Sequence, residues 1–90
     1  MRTSEMDKDQ RIEETRKLVD ATFRCLVDAP DAVMVRAVVG SYSVVFEVSM
    51  AEADKGRALG TRGAYKRLLE ELLRPIGGNH CLRYIIDRIE

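Results

Sequence analysis

Ninety residues, 46% hydrophobic and 33% charged, suffice for one small domain with its own core and are too few for two. That balance excludes a disordered or fibrous chain, and no apolar run approaches the length of a membrane span. Fifteen basic and fifteen acidic side chains leave no net charge, so any attraction to a polyanion has to be local.

The opening "MRTSEMDKDQ" lacks the apolar segment of a signal peptide, and a soluble cytoplasmic protein is expected. Residues 1–9 are polar and aperiodic and read as a flexible tail, with one domain spanning 10–90. From Gln10 onward Ile12, Thr15, Val19, Phe23 and Leu26 recur every three or four positions, the period of a helix with one apolar face, and Pro30 stops it. The valine-rich "AVMVRAVV" then reads as a strand broken at Gly40-Ser41, and "YSVVFEVSM" as its antiparallel hairpin partner. In that second strand Val44, Phe46, Val48 and Met50 alternate with Val45, Glu47 and Ser49, which predicts one covered and one more exposed face.

Ser49 followed three residues later by Glu52 matches a capping box, and a helix is expected through "AEADKGRAL" as far as Gly60. A second helix begins near Gly63, carries Leu68, Leu69, Leu72 and Leu73 as core residues, and is expected to stop at Pro75 and "GGN". The last segment, "CLRYIIDRI", is a strand with Leu82, Tyr84 and Ile86 on its apolar side. The order α-β-β-α-α-β predicts an α+β fold, a three-stranded sheet covered by helices on one face.

Chemistry concentrates in "GRALGTRGAYKRLL". Glycine inside a helix is disfavoured by roughly 1 kcal/mol relative to alanine, yet Gly56, Gly60 and Gly63 fall within eight residues. A helix ending at Gly60 and another starting at Gly63 leave a two-residue turn, Thr61-Arg62, whose flanks carry no β-carbon to keep a ligand away from the backbone. The amides opening the second helix lack internal partners and lie at the positive end of its dipole, a combination that suits phosphate oxygens. From Lys55 to Arg74 the basic residues Lys55, Arg57, Arg62, Lys66, Arg67 and Arg74 outnumber the acids Glu70 and Glu71, which diverge by about 100° around the helix. Ala21–Asp54 is acidic in balance. Arg62 projects from the turn and is the strongest candidate contact. Tyr65 either stacks on a base or packs beneath the first helix, and Tyr84 belongs to the core.

The two cysteines, Cys25 and Cys81, form no metal-binding pair, and His80 is the only histidine, so neither a metal nor another cofactor is expected. No nucleophile with a histidine at workable spacing and no phosphate-loop lysine motif occurs. The chain does not read as an enzyme.

On these residues the chain resembles a KH domain. "GRALGTRG" between two short helices, after a hairpin and before a final strand, is similar to the KH signature loop in the type II element order. "LVDAPDAVMV" with "VVFEVSMAEADKGRALGTRG" resembles the small bacterial single-KH RNA-binding proteins, over about Leu18 to Ile89. The resemblance implies single-stranded RNA as partner, with Gly60, Thr61, Arg62 and Gly63 clamping the sugar-phosphate backbone of about four nucleotides and Arg57, Lys66 and Arg67 close by. It also implies that Ala58 and Leu59 floor a shallow apolar groove whose other wall is the backbone around Val44–Val48. The chain departs from the family in having Ala64-Tyr65 where Arg-Thr is typical and Ala58 where valine is usual. Two alternatives accompany this reading. Single-stranded DNA is one, since a backbone clamp leaves the sugar largely unread. The other is a KH scaffold used for protein association, pairing with itself or with a larger KH-containing protein through the first helix or the edge strand Val33–Val39.

Overall fold

Asp7 opens the first helix by a reciprocal cap. Its Oδ1 accepts the Gln10 N–H at 2.8 Å, and Gln10 Oε1 accepts the Asp7 N–H at 3.0 Å. In the computed structural model, which describes residues 7–60, 63–78 and 82–88, α1 therefore runs Lys8–Leu26 and takes in two positions ahead of Gln10. One turn at Pro30–Ala32 leads into β1 (Met34–Val39) and β2 (Ser43–Ser49). A second turn, Glu52–Asp54, leads into α2 (Lys55–Leu59), α3 (Ala64–Gly78) and β3 (Arg83–Arg88).

The sheet has the order β1-β2-β3, with β1 antiparallel and β3 parallel to the central β2. Alternation on β2 puts Val44, Phe46 and Val48 inward, each at most 1% exposed. Tyr84 and Ile86 lie beside Val44 and Phe46 in register, and the Phe46 and Tyr84 rings meet edge to face at 5.4 Å. Over this face α1 brings Ile12, Val19 and Phe23, α2 brings Ala58, and α3 brings Leu69 and Leu73. Among the described residues the opposite face bears no helix, and it carries the cross-strand pair Arg36–Glu47. The mixed α+β architecture is that expected from the sequence and is compatible with a KH-like fold.

Three local expectations fail, each for a tertiary reason. Ser49 stays in β2 to pair with Met34, so the turn at Glu52 has Ala51 before it and no side-chain cap, while Glu52 pairs with Lys55. Of the four leucines on α3 only Leu69 and Leu73 reach the core, whereas Leu68 and Leu72 are 68% and 63% exposed. Adjacent helical positions lie about 100° apart, so only one of the two lines can face the sheet. Pro75 lies inside α3, which continues to Gly78. There Gly77 lies so close to the start of β3 that a β-carbon would come within 2.5 Å of Leu82 O, and Gly77 O accepts the Leu82 N–H at 3.0 Å.

Side chains tie the layers together. Asp54, only 3% exposed, accepts the N–H groups of Asp28 and Ala29 at 3.1 Å each and so fixes the start of α2 against the end of α1. The hairpin bond from Gly40 N–H to Ser43 O sets an alternation that turns the carbonyls of Val33 and Val35 to the outer edge of β1. Arg24 donates to Val33 O at 3.0 Å and Arg16 to Val35 O at 3.2 Å, covering that edge from α1. Arg16 also hydrogen-bonds Glu13, which holds the Glu13 carboxyl below and the guanidinium above its ordinary range. On the far edge, Glu70 Oε2 accepts the Ile86 N–H at 2.8 Å.

Two measurements check this core. Leu73→Ala should cost about 2–5 kcal/mol in urea unfolding, and Leu72→Ala less than about 0.5 kcal/mol. Asp54→Ala leaves two amides without an acceptor and should cost about 2–4 kcal/mol by the same measurement.

Candidate nucleic-acid interface

Two glycines in the left-handed region make the corner between α2 and α3. Gly60 has φ 70° and ψ −176°, a conformation essentially confined to glycine, and Gly63 has φ 73°. The Gly60 N–H is shared between Gly56 O at 3.1 Å and Arg57 O at 3.2 Å, and the Gly63 N–H donates to Gly60 O at 3.3 Å. Both glycine amides are thus used within the corner. An approaching anion has to address the first turn of α3, where a helix leaves its amides without internal partners.

Other expected site residues distribute unevenly around this corner. Thr61 and Arg62, and the side chain of Leu59, lie outside the described residues. Arg67 brings its guanidinium to Gly63, Nη1 standing 3.7 Å from where a β-carbon on that glycine would be. Lys66 Nζ lies 3.6 Å from a carboxylate oxygen of Glu70. Arg57 reaches away to Asp28 at 2.6 Å, an exposed pair worth at most about 1 kcal/mol and easily exchanged for another anion. Ala58 corrects an expectation. It is fully buried in the core, where its small side chain lets the five-residue α2 sit close, and it offers no surface to a base.

Tyr65 takes a position between its two expected roles. Its ring lies against Gly60, where a β-carbon would approach Cγ and Cδ2 to 3.1 Å, and it is 46% exposed. The same residue lines an apolar groove of about 340 Å³ with Thr22, Phe23 and Leu26 of α1 and Leu68 and Leu72 of α3.

The other flank of α3 carries a polar cleft of about 440 Å³. Lys66, Arg67, Glu70, Glu71 and Arg74 form its helical wall, and Leu82, Arg83, Tyr84 and Ile85 its strand wall. The strand wall corrects the expectation of Val44–Val48. The central strand β2 spends its backbone groups on both neighbours, so β3 is the strand with an open edge beside α3. Arg83 and the edge of β3 are therefore additional candidate contacts. Their sequence signal is weak, because it depends on strand order. Glu71 pairs with Arg74 at 2.7 Å, and the cleft as a whole holds four basic residues against two carboxylates.

Neither a protein-family model nor a solved structure matches the chain. Several bacterial proteins named RNA-binding protein KhpA do. That of Aquifex aeolicus is 31% identical over 75 residues, covering 83% of this chain and 95% of its own length. That of Caldanaerobacter subterraneus subsp. tengcongensis is 30% identical over 73 residues, covering 81% and 97%. That of Clostridium acetobutylicum is 26% identical over 74 residues, covering 82% and 99%.

The glycines of this region should separate by conformation. Gly60→Ala, forced into positive φ against the Tyr65 ring, should lower stability by about 1–3 kcal/mol. Gly56→Ala, helical and with no atom within 4 Å of the added carbon, should raise it by about 0.5–1 kcal/mol. Chemical denaturation of both variants reads the difference.

Proposed function

The chain belongs to the KhpA family of RNA-binding proteins, and on that premise we propose that it is a single-stranded RNA-binding module of type II KH architecture. Its corner from Gly60 to Gly63 holds the sugar-phosphate backbone, and the bases enter the cleft between α3 and β3. The observation that carries this reading is the corner itself. Two positive-φ glycines remove side-chain bulk at the start of α3, and Arg67 already leans over the second of them at the mouth of the cleft. A phosphate there meets the positive end of α3 and charge-assisted hydrogen bonds from Arg67, with Arg62 of the same loop as a further donor. No catalytic step is involved. With net charge zero and a few phosphates neutralised, affinity is of micromolar order, and log K should fall with log salt by about 0.7 per phosphate contacted.

The test is an amide-resolved titration with short RNA and DNA oligonucleotides. Shifts should gather at Gly60, Gly63–Arg67 and Arg83–Ile85, and the double variant Thr61→Asp/Arg62→Asp should abolish binding while leaving the fold intact. Unchanged affinity in that variant rejects the corner as the site, and equal affinity for DNA widens the ligand to single strands in general.

A second reading, a scaffold for protein association with another copy or a larger KH-containing protein, draws support from the exposed Leu68, Leu72 and Tyr65 along the α1–α3 groove. The edge strand suspected from sequence is a poorer surface, because Arg16 and Arg24 already occupy two of its outer carbonyls. Under this reading Leu68→Glu/Leu72→Glu converts a larger species to monomer in light-scattering chromatography without changing RNA affinity.

A further inference from the structure

The ring of Tyr42 takes no part in holding the fold. Tyr42 is the second central residue of the turn between β1 and β2, which the Gly40 N–H closes on Ser43 O. Its carbonyl accepts the Arg83 N–H at 2.9 Å, a bond that any residue at this position can make. The turn itself asks only for small or polar residues. Yet the ring is 82% exposed, more than any other large hydrophobic side chain among the described residues, and it stands outside the core. A lone exposed aromatic needs no explanation in general. This one is set apart by what lies beside it.

The bond to Arg83 puts Tyr42 at one end of the α3–β3 cleft. α3 runs back along β3, so that Glu70 meets the Ile86 N–H near the corner and Gly77 meets Leu82 at the start of the strand. The glycine corner thus opens one end of the cleft. Leu82 and Arg83 line the other, about 21 Å away at 1.5 Å per residue from Gly63 to Gly77. At that far end Arg83 is exposed and meets no carboxylate among the described residues. Lys66 and Arg74, in the same cleft, are each paired with one. An unneutralised cation and an exposed aromatic ring therefore stand together where the cleft ends.

We propose that Tyr42 is a stacking platform for the nucleotide just beyond the cleft, with Arg83 holding the phosphate that links it; this rests on the reading of the α3–β3 cleft as the path of the RNA. A glycine loop of this kind clamps about four nucleotides. A strand laid from the corner along α3 has used that length when it reaches Arg83, and its next base emerges beside the Tyr42 ring. Stacking there accepts any base, because every base has a π-face, and it covers apolar surface that is otherwise wet. The neighbouring guanidinium supplies a charge-assisted hydrogen bond to the linking phosphate. The footprint becomes five nucleotides, the last of them held whatever its identity.

The experiment measures affinities of the full chain for unlabelled oligo(A) and oligo(U) of four and five nucleotides by NMR titration. A fifth nucleotide without contacts of its own raises affinity about twofold, because it offers two registers on a four-nucleotide site. Stacking should raise it about tenfold or more in the natural chain, for adenine and uracil alike. In Tyr42→Ala the gain should return to about twofold, while Tyr42→Trp keeps it. The urea midpoints of all three chains should coincide, since the ring lies outside the core. Arg83→Gln should lower the salt slope of the five-nucleotide oligomers by about 0.7 and leave that of the shorter ones, and an unchanged slope overturns the part given to Arg83. A gain of only about twofold in the natural chain, or a larger one unmoved by Tyr42→Ala, with binding still abolished in Thr61→Asp/Arg62→Asp, overturns the platform alone. A chain that binds none of these oligomers overturns both the platform and the RNA reading.

Discussion

β2 and β3 run parallel, with Val44 beside Tyr84 and Phe46 beside Ile86, and parallel neighbours cannot be joined by a hairpin. The chain has to leave the end of β2, cross one face of the sheet and return to the start of β3. It makes that crossing with α2, the glycine corner and α3. This one pairing places the corner at the end of the sheet, lays α3 along β3 and leaves the outer edge of β3 as the wall of a cleft. It also leaves β2 without unpaired backbone groups, since a central strand bonds on both sides.

The sheet edges show how little main chain the fold leaves uncovered. Arg16 and Arg24 reach from α1 to the carbonyls of β1, and Glu70 reaches from α3 to an amide of β3. An edge covered in this way resists pairing with a foreign strand. Charged side chains that would otherwise be free for an anion are drawn into the same arrangement: Arg57 with Asp28, Lys66 with Glu70, Arg74 with Glu71. Such exposed pairs are weak and exchangeable. Together with the zero net charge they leave the chain little long-range attraction for an anion.

α3 works on three sides. Leu69 and Leu73 hold it to the sheet, Lys66, Glu70 and Arg74 face the cleft, and Leu68 and Leu72 face the groove beside α1. Tyr65 sits where groove and corner meet, its ring against Gly60. A protein partner lying in the groove would therefore touch the residue that supports the loop. The helix that separates the two surfaces also connects them.

Features governed by near neighbours were legible in the sequence. The order of elements, the hairpin at Gly40-Ser41, the inward line Val44-Phe46-Val48 and the turn between two glycines follow from period and turn chemistry over a few residues. Other features needed partners distant in the chain. Which of two leucine lines faces the sheet, why Pro75 stays in a helix, why Ala58 is buried, and why Asp54 and Glu70 spend their carboxylates on backbone amides all depend on contacts across the fold. The sequence by itself determined the elements and the glycine corner, because backbone preference and alternation are short-range. Only the tertiary structure decided which strand edge stays open and what closes it, because strand order is set by which hydrophobic faces can be buried together.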